Sequence, residues 1–81
     1  MRFAGIDVAA ERHVVAMVDE TAKVVCKPTA FGEDAVGYEL LFLLLGAPQG
    51  GLVALEATRH YWRNLFVSLV AKGYVVAVLW T

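Results

Sequence analysis

Apolar residues in the first 27 positions fall into three short runs of strand character, and after residue 32 the spacing switches between helical and strand-like. Phe3–Val8 (FAGIDV) has the pattern of a strand buried on both faces, with Phe3, Gly5 and Asp7 on one side and Ala4, Ile6 and Val8 on the other. His13–Val18 (HVVAMV) reads as a second strand and Ala22–Lys27 (AKVVCK) as a third. The polar stretch Asp19-Glu20-Thr21 between them has hairpin length, so these two strands are expected to pair antiparallel. Pro28, which has no N–H to give to a ladder, is expected to end the third. Glu33–Leu45 then takes helical spacing, with acids in its first turn and Gly46 as its stop. Its Leu40–Leu45 segment is apolar nearly all round, which predicts burial on more than one side. Gly37 inside it costs about 1 kcal/mol relative to Ala, and tight packing against a sheet is the reason to keep it.

After the loop Ala47–Gly51, Leu52–Glu56 (LVALE) is a fourth strand. A second helix is predicted from Thr58, its N-cap, to Lys72, with Gly73 as the stop. Trp62, Leu65, Phe66 and Leu69 recur at the spacing of a buried helical stripe. Tyr74–Leu79 (YVVAVL) is a fifth strand. The order is therefore β-β-β-α-β-α-β. Helical crossovers join parallel strands and are nearly always right-handed, so strands four and five should run parallel behind an antiparallel meander. By fold analogy this is the ribonuclease H arrangement: an α/β fold whose mixed five-stranded sheet is ordered 3-2-1-4-5 and carries two helices.

Eighty-one residues allow one small domain, and apolar residues make up 59% of them, which excludes a disordered chain. So short a chain buries only about 60–65% of its unfolded surface, and part of this apolar content is expected to be covered by a partner, the chain being one piece of either an oligomer, such as a homodimer, or a longer protein. The net charge of −1 lacks the basic footprint of an autonomous nucleic-acid binder, although other segments could supply it. The single cysteine, Cys26, cannot close an internal disulfide and reads as a small buried apolar group. The longest uncharged run, Leu40–Leu55, is 16 residues long and broken by Gly46, Pro48, Gly50 and Gly51, too short and too interrupted for a membrane span. No signal peptide is readable at the N-terminus, so a cytoplasmic location is expected.

Two carboxylates stand where a core does not want them. Asp7 interrupts a strand that should be buried, and a buried carboxylate needs a basic partner, backbone donors or a metal ion. Glu56 closes the fourth strand at its carboxyl end, where open α/β sheets place their ligands. If strands one and four are parallel neighbours, the two acids can face one divalent ion such as Mg²⁺. The plainer alternatives are a hydrogen-bonded turn at Ala9–Arg12 for Asp7 and a salt bridge to Arg59 or Arg63 for Glu56. Arg59, His60 and Arg63 would open the second helix, where free N–H groups favour phosphate. A solvated first turn with Tyr61 at the rim serves them equally well. Trp62 reads as core and His13, beside Arg12, as an exposed histidine. Ser68 has no His or Asp at triad spacing.

Three stretches carry a family resemblance: GIDVAAERHVVAMVDE (Gly5–Glu20), LEATRHYWRNL (Leu55–Leu65) and the closing GYVVAVLW. Together they resemble the N-terminal, RuvC-like catalytic domain of the DEDD transposases of the bridge-RNA-guided insertion-sequence family, over essentially the whole chain. GIDVA is unspecific alone, but LEATxHYW about fifty residues on makes it specific. The resemblance implies a RuvC-like, ribonuclease H fold in which four acids hold Mg²⁺ or Mn²⁺ while DNA strands are cleaved and rejoined. Two of those roles fall on Asp7 and Glu56. It also implies DNA and a guide RNA as partners of the full-length protein. Arg59 stands where the family usually has Gly. The third and fourth acids lie beyond the fifth strand in the family, so residues 1–81 are expected to be a single RuvC-like domain incomplete at its C-terminus, binding metal weakly and inactive in isolation.

Two other readings are compatible with parts of the sequence. An actin-like or sugar-kinase-type phosphotransferase shares the ribonuclease H core, but it needs a glycine-rich phosphate turn where this chain has Val8-Ala9-Ala10-Glu11. A non-catalytic, self-associating remnant or interaction module would account for the apolar excess.

Overall fold

The computed structural model describes residues 1–57 and 59–80. The element order is β1 (Arg2–Asp7), β2 (Arg12–Asp19), β3 (Val24–Gly32), α1 (Ala35–Leu45), β4 (Gly51–Ala57), α2 (Arg63–Ala71) and β5 (Val75–Trp80). The strands form one sheet in the order β3-β2-β1-β4-β5. β1 pairs antiparallel with β2, and β2 with β3. β1–β4 and β4–β5 are parallel. This is the ribonuclease H-like meander followed by βαβ that the element order predicts.

The β2–β3 hairpin is closed by Asp19, whose carboxylate accepts hydrogen bonds from the Thr21 hydroxyl at 2.6 Å, the Thr21 amide at 2.9 Å and the Lys23 amide at 3.1 Å. Those bonds, the Thr21 hydroxyl foremost, hold the Asp19 carboxyl below the usual carboxylate range. Ala22 turns the corner at φ +65°, so β3 starts at Val24 and not at Ala22. Pro28 does not end β3, which runs on to Gly32. Val15 pairs with Thr29 and Met17 with Cys26, leaving Lys27 and Pro28 opposite the single residue Ala16. On an edge strand such a bulge removes the need for the N–H that proline lacks.

Asp34 caps α1 by accepting from the Gly37 amide at 2.7 Å. The helix starts one residue later, at Ala35, so Glu33 and Asp34 precede its first turn instead of lying in it. A Cβ at Gly37 would sit 2.0 Å from the Gly32 carbonyl oxygen, so only glycine lets α1 approach the end of β3 this closely. Gly46 ends the helix at φ +73°, and the Tyr74 hydroxyl donates to its carbonyl. α1 is buried on one face only, through Gly37, Leu41 and Leu45, while Leu43 is 80% exposed. α2 begins at Arg63, later than the spacing predicts. Residues 59–62 form turns, and the expected cap Thr58 lies outside the described residues.

The core joins Ala4 and Ile6 of β1, Val15 and Met17 of β2, and Val53 and Leu55 of β4 to Leu41 and Leu45 of α1 and Leu65 and Leu69 of α2. All six sheet residues lie on one face, so both helices pack there. On the other face Phe3, Val14, Val75 and Leu79 are exposed. β1 is thus buried on one face, not two, because no described element covers the side that carries Phe3, Gly5 and Asp7. No helix is long and apolar enough to cross a membrane.

Candidate metal centre

Asp7 ends β1, and Glu56 is the last residue but one of β4. The parallel register of these strands runs to Ile6 opposite Leu55, and its next step sets Asp7 beside Glu56. Ile6 and Leu55 point into the core, so alternation turns both acids to the opposite, open face. Both are exposed. The expectation that Asp7 is buried is therefore corrected, for the same reason that β1 has only one buried face. Neighbouring strands lie about 4.8 Å apart, so two like charges share one small area at the carboxyl ends of the strands.

Among the described residues neither carboxylate takes part in an ion pair or a side-chain hydrogen bond. The alternatives of an Asp7-capped turn and of a Glu56 salt bridge to Arg59 or Arg63 are not what the structure builds. Two unit charges roughly 5 Å apart in water repel by about 0.8 kcal/mol, and nothing described here offsets that. An all-oxygen pair, open to solvent, suits a hard divalent cation. The flanking positions are apolar: Val14 pairs with Asp7 and Leu79 with Glu56. No group of three or more His, Cys, Asp and Glu side chains converges among the described residues.

The basic residues follow β4 closely but not as the helix opening the spacing suggests. Arg59 and His60 lie in the turns before α2, and Arg63 is its first residue. The Arg63 amide donates to the His60 carbonyl at 3.2 Å and that of Phe66 to Trp62, so these amides are taken. What remains is three exposed cationic or polar side chains within seven residues of Glu56. Arg59 has φ +54°, a left-handed conformation glycine adopts far more easily. The Trp62 indole N–H fixes this turn by donating to the Arg59 carbonyl at 2.9 Å, while its ring packs edge-on against Phe66 and Trp80.

His13 is not the exposed residue its position beside Arg12 suggests. Its side chain is 0% exposed, on the same face of β2 as Val15 and Met17, and lies 5.1 Å from the Phe31 ring. The Ala9 amide donates to its Nδ1 at 3.1 Å, and its Nε2 lies 2.6 Å from Glu33 Oε1. The Tyr38 hydroxyl donates to the other Glu33 oxygen at 2.6 Å. Burial, then that hydrogen bond and the Glu33 charge, push the Tyr38 phenol well above its ordinary range. Strand parity alone, which aligns His13 with Val15 and Met17, was the signal for its burial. Cys26 is half-buried on β3 and packs against the core edge.

Residues 4–80 match the family model of the IS110-type DEDD transposases, described as a transposase. No curated protein matches the chain.

Proposed function

Since this chain belongs to the IS110-type DEDD transposase family, we propose that it supplies two of the four acids of a transposase catalytic centre, Asp7 and Glu56. The observation that carries this reading is their placement side by side on the open face, free of protein partners among the described residues. A divalent ion held there would supply the activation of an attacking oxygen and the stabilisation of a leaving one. The residues of this chain hold and orient. Asp7 and Glu56 offer carboxylate oxygens from rigid strand ends, which keeps their spacing fixed. Arg59, His60 and Arg63 contact DNA phosphates beside them, and Val14 and Leu79 keep the flanks of the pair free of competing charge.

The other two acids come from outside residues 1–81, in a RuvC-like domain that this chain only begins, so the isolated chain binds Mg²⁺ or Mn²⁺ weakly and cleaves no DNA. In the full-length protein the partners are DNA and a guide RNA, the assembly is a dimer, and the location is cytoplasmic. Calorimetric titration with Mn²⁺ at low ionic strength tests the reading: weak binding in the wild type is expected to vanish in both Asp7→Asn and Glu56→Gln. Binding that survives both substitutions overturns it, whereas Mg²⁺-dependent DNA cleavage by the 81-residue chain that is lost in Asp7→Ala overturns only the inactivity of the isolated chain.

A second reading is favoured by one observation. The open face carries Phe3, Val14, Val75 and Leu79, and a remnant that only pairs with its own kind through this face would also need no metal.

A further inference from the structure

The His13–Glu33–Tyr38 cluster, buried at His13 and half-buried at Glu33 and Tyr38, takes no part in metal binding, yet it grips the segment that leaves the sheet directly after Asp7. A backbone amide can only donate, so the Ala9 N–H fixes His13 Nδ1 as an acceptor. A neutral ring then carries its proton on Nε2, where it donates to Glu33 Oε1. Glu33 is held in turn by the Tyr38 hydroxyl. The same glutamate tethers the segment a second time, because its backbone amide donates to the Glu11 carbonyl at 2.9 Å. Ala9 and Glu11 are thus both tied to one half-buried network, and Val8 beside them is buried in the core. Asp7 is the last residue of β1, so its backbone has ladder support on one side and this tethered turn on the other.

We propose that His13 is a positioning residue for Asp7: through Nδ1 it holds the Ala9 amide, and so fixes where the Asp7 carboxylate stands relative to Glu56. The inference rests on the reading of Asp7 as a metal ligand. His13 itself touches neither metal nor DNA, since it points to the opposite face of the sheet.

Two substitutions separate the halves of the network. In His13→Asn the amide oxygen reaches the place of Nδ1, keeping an acceptor for Ala9 while losing Glu33. In His13→Gln the amide nitrogen reaches the place of Nε2, keeping a donor for Glu33 while leaving Ala9 without its acceptor. The readouts are Mn²⁺ affinity by electron paramagnetic resonance, thermal stability, and hydrogen exchange at the Ala9 amide. Both variants are expected to melt below the wild type. His13→Gln alone is expected to lose Mn²⁺ affinity, by roughly tenfold, and to speed Ala9 exchange. His13→Asn is expected to stay within about twofold of wild-type affinity.

Equal affinity losses in the two variants, or none in His13→Gln, overturn the positioning role. Wild-type Mn²⁺ binding that Asp7→Asn does not weaken overturns instead the metal reading on which it rests, and the inference falls with it. If His13→Gln does not fold, the ¹⁵N spectrum of the wild-type imidazole decides. A ring protonated on Nε2, with the Ala9 amide slow to exchange, is required, and a ring protonated on Nδ1 overturns the proposal.

Discussion

Arg59 and Ala22 are the described residues other than glycine whose backbone enters the left-handed region, at φ +54° and +65°. For a residue with a Cβ that conformation costs roughly 1 kcal/mol. Arg59→Gly is therefore expected to raise stability by about 0.5–1 kcal/mol, part of the gain being lost to the greater freedom of glycine in the unfolded chain; urea denaturation measures it, and a destabilised variant refutes the strain. Asp19 gives a pH signature of the opposite kind. Its carboxyl is held below the ordinary range by Thr21 and Lys23, so its contribution is full above the unfolded value near 4. It is lost as pH falls through the lower folded value. The melting-temperature gap between wild type and Asp19→Ala should be constant near neutrality and close in that acidic window. Asp7 and Glu56 were legible at this scale, since a carboxylate in an apolar strand and another at a strand end stand out from their neighbours. One cause underlies the buried His13 and the exposed Asp7, neither of which the sequence alone predicts: which face of β1 and β2 the helices cover is decided by packing. The parity that pairs His13 with Val15 was present in the sequence but carries no sign until the covered face is known.

At the scale of elements, the element order follows from the alternation of spacing and the strand order from fold analogy, and the departures lie at the ends. Pro28 looks like a terminator because a ladder needs its N–H, yet a bulge opposite Ala16 removes that need. α2 begins at Arg63 because the turns at residues 59–62, fixed by the Trp62 indole on the Arg59 carbonyl, take up the residues that helical spacing assigns to its first turn. Periodicity sees the stripe of Trp62, Leu65, Phe66 and Leu69 and cannot see where the first helical hydrogen bond closes. The contact between α1 and β3 makes a sharper prediction. Gly37→Ala gains about 1 kcal/mol of helix propensity but drives a methyl group to 2.0 Å from the Gly32 carbonyl oxygen, and backbone is the least yielding partner for such a clash. Overpacking of this kind costs about 1–3 kcal/mol and occasionally more. A net loss of roughly 2 kcal/mol is expected in urea denaturation, and a stabilised Gly37→Ala refutes the close approach.

At the scale of the whole molecule, the layers are unequal. Both helices lie on one side of the sheet, and the other side presents Val14 and Leu79, 53% exposed, beside the two acids, and Phe3 and Val75, 62% exposed, towards the other end of the strands. Charge repulsion at Asp7 and Glu56 and apolar exposure around them have opposite consequences for assembly. With no metal present, the repulsion is unrelieved, and Asp7→Asn should stabilise the chain by up to about 0.8 kcal/mol at low salt. The same substitution removes the charge that keeps this apolar face from meeting another copy, so association should strengthen as stability rises. Sedimentation velocity over a range of concentrations distinguishes the two effects. The wild type is expected to self-associate, Asp7→Asn to do so at lower concentration, and Val75→Lys with Leu79→Lys to restore a monomer without disturbing the buried core. A wild type that stays monomeric at high concentration means the open face is tolerated in water. If instead the double lysine variant associates as strongly as the wild type, the contact lies elsewhere, and the exposed Leu43 and Val36 of α1 become the surface to change next.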